Sequence, residues 1–120
     1  MIKRDVHFGK GKIKGIVTIS RKYWDKGELT TNADKILLKG KKSSIEIVIN
    51  EVRNIELVRH RHFKVIKTNM GNDDYYHISS IPDEISMPGM DQEAWFAEME
   101  ADVKEKNKSL YNALQQFLNP

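Results

Sequence analysis

The chain has 120 residues and contains no cysteine. This absence excludes a disulfide framework, a thiol nucleophile and a thiolate metal site, and it is compatible with a reducing cytoplasm. Long apolar runs are also missing, because no segment approaches the roughly 18 residues that a membrane span needs. The first ten residues lack the apolar region of a secretory signal. We therefore expect one cytoplasmic domain that buries its core without covalent cross-links.

Acidic residues are scarce in the first half of the chain, and basic residues are scarce in the second. Residues 1–68 contain 17 Lys and Arg against 7 Asp and Glu, whereas residues 69–120 contain 3 against 10. A basic region and an acidic region therefore share one small domain. This asymmetry indicates either an anionic partner for one half or attraction between the two halves.

Short apolar segments between turn signals predict seven strands. The first covers residues 12–20, where Ile13, Val17 and Ile19 alternate with polar side chains. Turn residues rich in Gly, Asn and Asp separate the later segments. These later strands are predicted at residues 28–31, 35–39, 44–49, 52–59, 62–68 and 75–79. Strands this short and evenly spaced are typical of an antiparallel sandwich or barrel.

The apolar period changes from two to about 3.6 residues after Asp91, which predicts a helix with Asp91 as its N-cap. Trp95, Met99 and Val103 recur at every fourth position, and we expect all three to face the core. A second apolar stripe follows the polar segment around Asn107, so the helix continues or restarts there. The stripe consists of Leu110, Leu114, Phe117 and Leu118.

The order of these elements resembles the pleckstrin-homology-like family. Residues 27–40 end one strand, turn at residues 32–34 and start another, and an Ile-x-Ile-x-Ile strand follows at once. This order is most similar to the GRAM-type bacterial and archaeal members. Seven strands followed by a helix with an early tryptophan complete the resemblance, which covers residues 10–104. It implies a mainly β fold with a C-terminal α-helix, in which a seven-stranded antiparallel bent barrel is capped by the helix.

Two features depart from the family pattern. The strand after the turn usually carries an aromatic residue in GRAM-type members, whereas residues 36–38 are aliphatic here. Residues 107–118 also extend beyond the usual endpoint of the domain. We therefore divide the chain into a domain of residues 1–106 and a helical C-terminal extension of residues 107–120.

The resemblance implies a platform that binds other molecules, since members of this family are rarely catalysts. Its lipid-binding members hold phosphoinositides with basic residues on the first two strands and on the loop that joins them. The matching positions form the predicted anion or lipid site. They are Lys12, Lys14, Arg21, Lys22 and Lys26. Lysine and arginine donors suit phosphate oxygens, although lysines on an exposed strand also protect a sheet edge from pairing.

Catalytic and metal chemistry find little support in the sequence. His60 and His62 are spaced like half a metal site, but Arg59 and Arg61 beside them would repel a cation. The chain shows neither a nucleophile elbow nor a complete phosphate loop. We predict no catalytic residue, no cofactor and no metal.

Nucleic acid is a disfavoured partner. Tyr23 and Trp24 lie near the basic cluster and could stack on bases. Adjacent residues on a strand point to opposite faces, however, so we expect Trp24 in the core. Single-strand binding is therefore only a distant alternative.

The sequence favours a non-enzymatic interaction module, either a protein–protein adaptor or a self-assembling subunit. Its partner would be another protein or a second copy of itself, bound by the apolar stripe of the C-terminal extension. The alternative for that stripe is that it folds back onto its own barrel. The runner-up function is a peripheral membrane module that binds anionic lipid headgroups through the basic first strands.

Overall fold

A computed structural model of the protein describes residues 1–16, 23–82 and 91–119. Seven antiparallel strands form a curled half-barrel, and one α-helix follows them, so the predicted mainly β fold is confirmed. The strands are β1 (Lys3–Lys10), β2 (Asp25–Asn32), β3 (Lys35–Gly40), β4 (Ser44–Val48), β5 (Val52–His60), β6 (Phe63–Met70) and β7 (Tyr75–Ser80). The helix α1 is Gln92–Leu118.

The strands form one sheet in the order β4-β3-β2-β1-β7-β6-β5. The chain runs as two meanders, and the pairing of β1 with β7 joins them. The outermost strands β4 and β5 are linked by the short 3-10 helix Ile49–Glu51 and remain unpaired with each other. The half-barrel is therefore open along these two edges.

The position of the first strand was predicted wrongly. The structure has it at Lys3–Lys10, and residues 11–16 are irregular. Gly11 and Gly15 adopt φ values of 73° and 89°, which interrupt an extended segment. Val6 and Phe8 supply the buried alternation instead, and both are fully buried. The rest of the predicted strand lies outside the described residues.

Apolar side chains cover both faces of the sheet. Val65 and Ile66 are consecutive on β6, so they point to opposite faces. The larger group, here called the inner cluster, contains Ile66. Its other buried members are Val6, Phe8, Leu29, Ile36, Leu38, Ile47, Ile55, Met70, Ile78, Leu110 and Leu114. The outer cluster consists of Ile13, Trp24, Phe63, Val65, Met99 and Val103.

Helix α1 contributes to both clusters. Its first half supplies Met99 and Val103 to the outer cluster, and its second half supplies Leu110 and Leu114 to the inner cluster. The helix therefore passes around the ends of β6 and β7 and closes both sides of the sheet. Asn107 lies between these two halves and is fully buried.

Asn107 fastens the helix to the ends of both strands. Its Nδ2 donates to the carbonyl oxygen of Lys64 at 2.7 Å and to Oγ of Ser79 at 3.0 Å. Its Oδ1 accepts from the backbone N–H of Ser80 at 2.6 Å. Because the buried amide makes all these bonds, few backbone groups at these strand ends are left unpaired. The point where the helix crosses the strands is therefore polar, but its polar groups have hydrogen-bond partners.

The start of α1 was predicted in part. Asp91 is the N-cap, as expected, and its Oδ1 accepts from the N–H of Ala94 at 2.7 Å. Met99 and Val103 are buried, as predicted, but Trp95 is 36% exposed. In a helix with 3.6 residues per turn, each four-residue step rotates by about 40°. Two such steps separate Trp95 from Val103, so Trp95 lies on a part of the helix surface that is rotated out of the core.

The C-terminal stripe belongs to the same core as the sheet. Helix α1 is continuous through residues 106 and 107, and Leu110 and Leu114 are fully buried in the inner cluster. Phe117 and Leu118 pack partly buried against that cluster. Their own sheet covers these side chains, which corrects the prediction that Leu110 and Leu114 meet a partner. Across the described residues, no helix combines the length and apolarity needed to cross a membrane.

Candidate functional site

A cleft of about 860 Å³ lies between α1 and the strands β1, β2 and β3. This volume falls within the range of roughly 300–1,000 Å³ that ligand sites usually occupy. Its lining is rich in basic residues, so we call it the basic cleft. Arg4, Lys26, Lys39, Lys41 and Lys106 line it, together with the acidic residues Asp5 and Glu28.

Two glycines form part of the lining of the cleft. Gly27 of β2 is paired with Gly40 of β3 and also lies opposite Val6 of β1. A Cβ at Gly27 would overlap the carbonyl oxygen of Lys39, and one at Gly40 would overlap the carboxylate of Asp25. Both positions therefore have to remain without side chains. Because no side chain projects there, the apolar surface of the sheet is interrupted at the basic cleft.

Asp25 holds the turn between β3 and β4 beside the cleft. Its carboxylate accepts from the backbone N–H groups of Lys26, Lys41, Lys42 and Ser43 at 2.8–3.2 Å, and from Oγ of Ser43 at 3.0 Å. Burial alone would raise the pKa of Asp25, but the hydrogen bonds from Ser43 and the backbone lower it by more, so the net pKa is below its usual value. The charged carboxylate thus fixes the position of Lys41.

Some charges of the cleft are already compensated. Glu28 pairs with Lys3 at 3.8 Å, and Lys106 pairs with Asp102 at 3.4 Å and donates to the carbonyl oxygen of Ile81. Four other basic side chains form no ion pair within the described ranges. They are Arg4, Lys26, Lys39 and Lys41. Their charges repel one another unless an anion enters, so the cleft is electropositive.

The predicted anion site coincides with this cleft at one position. Lys26 lines the cleft, whereas Lys12 and Lys14 are exposed on the irregular segment of residues 11–16 and do not line it. Arg21 and Lys22 lie outside the described residues. Sequence reasoning missed the other four basic residues because they come from β1, β3, the next turn and α1. Gly27 and Gly40 were the available signal, since glycine within a strand often marks a close approach.

The histidines expected on one strand face are separated by the β5–β6 turn. The ring of His60 lies with Nε2 2.7 Å from the carbonyl oxygen of Gly15. The ring of His62 packs edge-on against Phe96, with centroids 5.5 Å apart. No group of three or more metal-ligating side chains occurs in residues 1–16, 23–82 and 91–119.

His60 belongs to an aromatic group on the outer face of the sheet. Its ring centroid is 5.3 Å from that of Trp24 and 5.9 Å from that of His77. Trp24 is only 2% exposed, which confirms its predicted place in the core and removes it as a stacking platform. Burial, together with the charges of His60 and Lys67, lowers the pKa of His77 to about 4. His77 is therefore neutral near pH 7, and this group packs rather than binds anions.

The basic cleft is the candidate ligand site within the described part of the chain. It combines unpaired cations, a lining with two bare glycines and a turn held by a buried carboxylate. Such a site can hold oxygen-rich anionic groups by charge-assisted hydrogen bonds. Neither the protein-family models nor the curated proteins compared with the sequence give a match. The functional assignment therefore depends on the geometry and charge of the site.

Proposed function

We propose that the protein is a non-enzymatic interaction module that binds an acidic segment of a partner protein in its basic cleft. The observation that carries the proposal is the set of four basic side chains without an ion-pair partner among the described residues around Gly27 and Gly40. The strand order followed by a helix supports the resemblance to pleckstrin-homology-like domains, whose members act as binding platforms.

A protein segment suits this cleft better than an isolated ion does. The volume of about 860 Å³ accommodates several side chains at once. Arg4 offers a planar fork for a carboxylate, while Lys26, Lys39 and Lys41 act as point charges around it. The exposed cations steer an acidic partner during its approach, and they also make the affinity depend on ionic strength.

The proposal is tested by titrating the 15N-labelled protein with a hexaglutamate peptide. We expect saturable shifts of the backbone amides of Gly27, Gly40 and Lys41, with an affinity that falls steeply between 20 and about 200 mM salt because the Debye length shortens to below about 10 Å. The double variant Lys26→Glu/Lys41→Glu should lose binding. Lys108→Glu, on an exposed part of α1 outside the cleft, is the matched control and should retain it.

Two results would contradict this function. Shifts spread over all basic surfaces would show non-specific attraction, and equal losses in the double variant and in Lys108→Glu would show that the cleft has no special role. Light scattering at micromolar concentration tests the self-assembling form of the proposal separately. A monomer in solution would leave another protein as the partner.

Peripheral membrane binding is the second candidate function. Lys12 and Lys14 are both exposed on residues 11–16, within the stretch that holds lipid headgroups in related domains. Co-sedimentation with phosphatidylserine vesicles and with neutral phosphatidylcholine vesicles tests it. Selective pelleting on anionic vesicles that is lost in Lys12→Glu/Lys14→Glu would support it. Equal pelleting on both kinds of vesicle, or none on either, would exclude it.

A further inference from the structure

A second and smaller basic pocket lies on the opposite flank of α1. It has a volume of about 180 Å³ and lies between the β5–β6 turn and the helix. Its helical cation is Lys104, whereas Lys106 lines the basic cleft. Two residues along a helix correspond to a rotation of about 200°, so the two sites face in different directions. Binding at one therefore does not require binding at the other.

Basic residues from β5, β6 and α1 line this pocket, which we call the turn pocket. The lining consists of Arg59, His62, Phe63, Lys64, Glu100 and Lys104. Phe63 is 2% exposed and forms part of the outer cluster, which gives the pocket a rigid apolar side. The basic residues are all exposed, so a ligand can reach them from solvent.

One hydrogen bond holds the Arg59 guanidinium in position, and another fixes the backbone that carries Lys64. Nε of Arg59 donates to the carbonyl oxygen of Arg61 at 3.1 Å, within a tight turn where Arg61 has a φ of 55°. The two terminal nitrogens of the Arg59 guanidinium form no bond in the described part of the chain and are left for a ligand. The carbonyl oxygen of Lys64 accepts from Asn107 at 2.7 Å, which fixes the start of β6 against α1 and hence against Lys104.

The turn pocket also carries an excess of positive charge. Glu100 is the acidic residue in its lining, and it lies one helical turn before Lys104. Among the described residues it forms no ion pair with Arg59, Lys64 or Lys104. Three permanent cations therefore surround one carboxylate, which leaves a net attraction for a small anion.

The size of the pocket limits the ligand to a single group. Its 180 Å³ lies below the range of roughly 300–1,000 Å³ for whole ligands, and corresponds to about six water molecules at 30 Å³ each. A terminal phosphate has three oxygens that each accept hydrogen bonds, and a guanidinium with two ammonium groups supplies donors for all of them. We propose that the turn pocket binds the phosphate monoester group of a ligand.

The test uses glycerol 3-phosphate as the probe and follows the amides of the 15N-labelled full chain at constant ionic strength. The amides of His62, Lys64 and Lys104 should shift saturably, while those of Gly27 and Gly40 in the basic cleft should not move. Glycerol with sodium chloride is the control titration. This readout separates the turn pocket from the proposed function, because the two sites report through different residues.

Substitutions then establish which groups hold the phosphate. Arg59→Gln and Lys104→Gln should each weaken binding about tenfold, the usual effect of losing one charge-assisted hydrogen bond. Lys108→Gln removes the same charge one turn further along α1, outside the pocket, and should leave binding unchanged. Glu100→Gln should strengthen binding severalfold, because it removes the carboxylate that repels the phosphate. Unchanged melting temperatures confirm that the variants fold.

A further arm of the experiment identifies the source of the phosphate group. Vesicles containing phosphatidic acid present the same monoester on a lipid, and phosphatidylcholine vesicles are their control. Pelleting with phosphatidic acid that is lost in Arg59→Gln supports a lipid source, whereas binding of glycerol 3-phosphate alone supports a free ligand. The proposal is overturned if 20 mM probe causes no saturable shift at His62 and Lys104. It is also overturned if Arg59→Gln and Lys108→Gln bind equally.

Discussion

The inner and outer clusters use the same sheet and the same helix but differ in composition. Among residues 1–16, 23–82 and 91–119, the inner cluster contains twelve buried apolar residues contributed by all seven strands and α1. The outer cluster has six in the same ranges, and it borders the rings of His60 and His77. In the described chain, Nε1 of Trp24 and Nδ1 of His77 are buried without a hydrogen-bond partner. Thr68 Oγ1 and Ser80 Oγ, which alternate with Ile66 and Ile78 on the inner face, are likewise buried without a partner in the described chain. The larger number of buried apolar side chains therefore indicates that the inner face supplies most of the stability.

Removing the second half of α1 is the most destabilising test of the difference between the two clusters. A chain cut after Glu105 lacks Leu110, Leu114 and the Asn107 amide, so the inner cluster is left open. The loss of two buried leucines costs about 4–10 kcal/mol, which matches the whole stability of a typical domain. We expect no cooperative thermal transition by circular dichroism. A truncated chain that melts cooperatively would show that the sheet folds without this helix half.

Substitutions that each create one cavity compare the contributions of the two clusters to stability. Leu110→Ala should lower the free energy of unfolding by about 3–5 kcal/mol, because its site is fully enclosed. Met99→Ala should cost about 2–3 kcal/mol, since a flexible thioether leaves a site that collapses more easily. Trp95→Ala is the control and should cost below about 1 kcal/mol, as expected for a partly exposed side chain. Urea denaturation measures all three, and a larger loss for Met99→Ala would reverse the ranking of the clusters.

The polar crossing between the clusters is tested by Asn107→Ala. This change leaves the N–H of Ser80 and the carbonyl oxygen of Lys64 without their partner. We expect a loss of about 2–4 kcal/mol in the free energy of unfolding, because buried groups without partners cost roughly 1–3 kcal/mol each. Lys108→Ala, one residue further and exposed, should change stability by less than about 0.5 kcal/mol. Equal effects of the two changes would contradict the role of this amide.

Acid should weaken the outer cluster selectively. The pKa of His77 is about 4 in the folded protein and about 6.5 when unfolded, so between these values the unfolded chain binds the extra proton. Stability should therefore fall as the pH is lowered from 6.5 to 4, by roughly 1–3 kcal/mol, and this contribution should level off below pH 4. His77→Phe should reduce the slope in this window. An unchanged slope in urea denaturation would show that other groups control it.

The sequence was sufficient for most of the elements. Strands β2 to β7, the helix and its Asp91 cap follow from local alternation, turn residues and capping chemistry. Strand β1 was misplaced because two segments show an equally good alternation. Lys12 and Lys14 alternate with apolar residues, and Val6 and Phe8 alternate with polar ones. The deciding factor was the positive φ of Gly11 and Gly15, which local composition does not specify.

The sites were harder to predict because they depend on which elements become neighbours. Periodicity showed that Leu110 and Leu114 need cover, but it cannot tell which sheet face provides it. Arg4, Lys39 and Lys106 are far apart in sequence and meet only because β1 pairs with β2 and α1 passes beside them. Lys26 was found because its strand was recognised. The turn pocket likewise depends on Asn107, which gave no signal in the sequence.

The passage of α1 around the sheet also has a consequence for the synthesis of the protein. While a growing polypeptide has emerged from the ribosome only as far as Ser80, all seven strands are free to pair, yet both faces of their sheet still expose apolar side chains. The outer face is covered only when Met99 and Val103 have left the exit tunnel, and the inner face only when Leu110 and Leu114 follow them. At about 5–20 residues per second these steps take seconds. During that interval the nascent sheet is a substrate for chaperones that shield exposed hydrophobic surface.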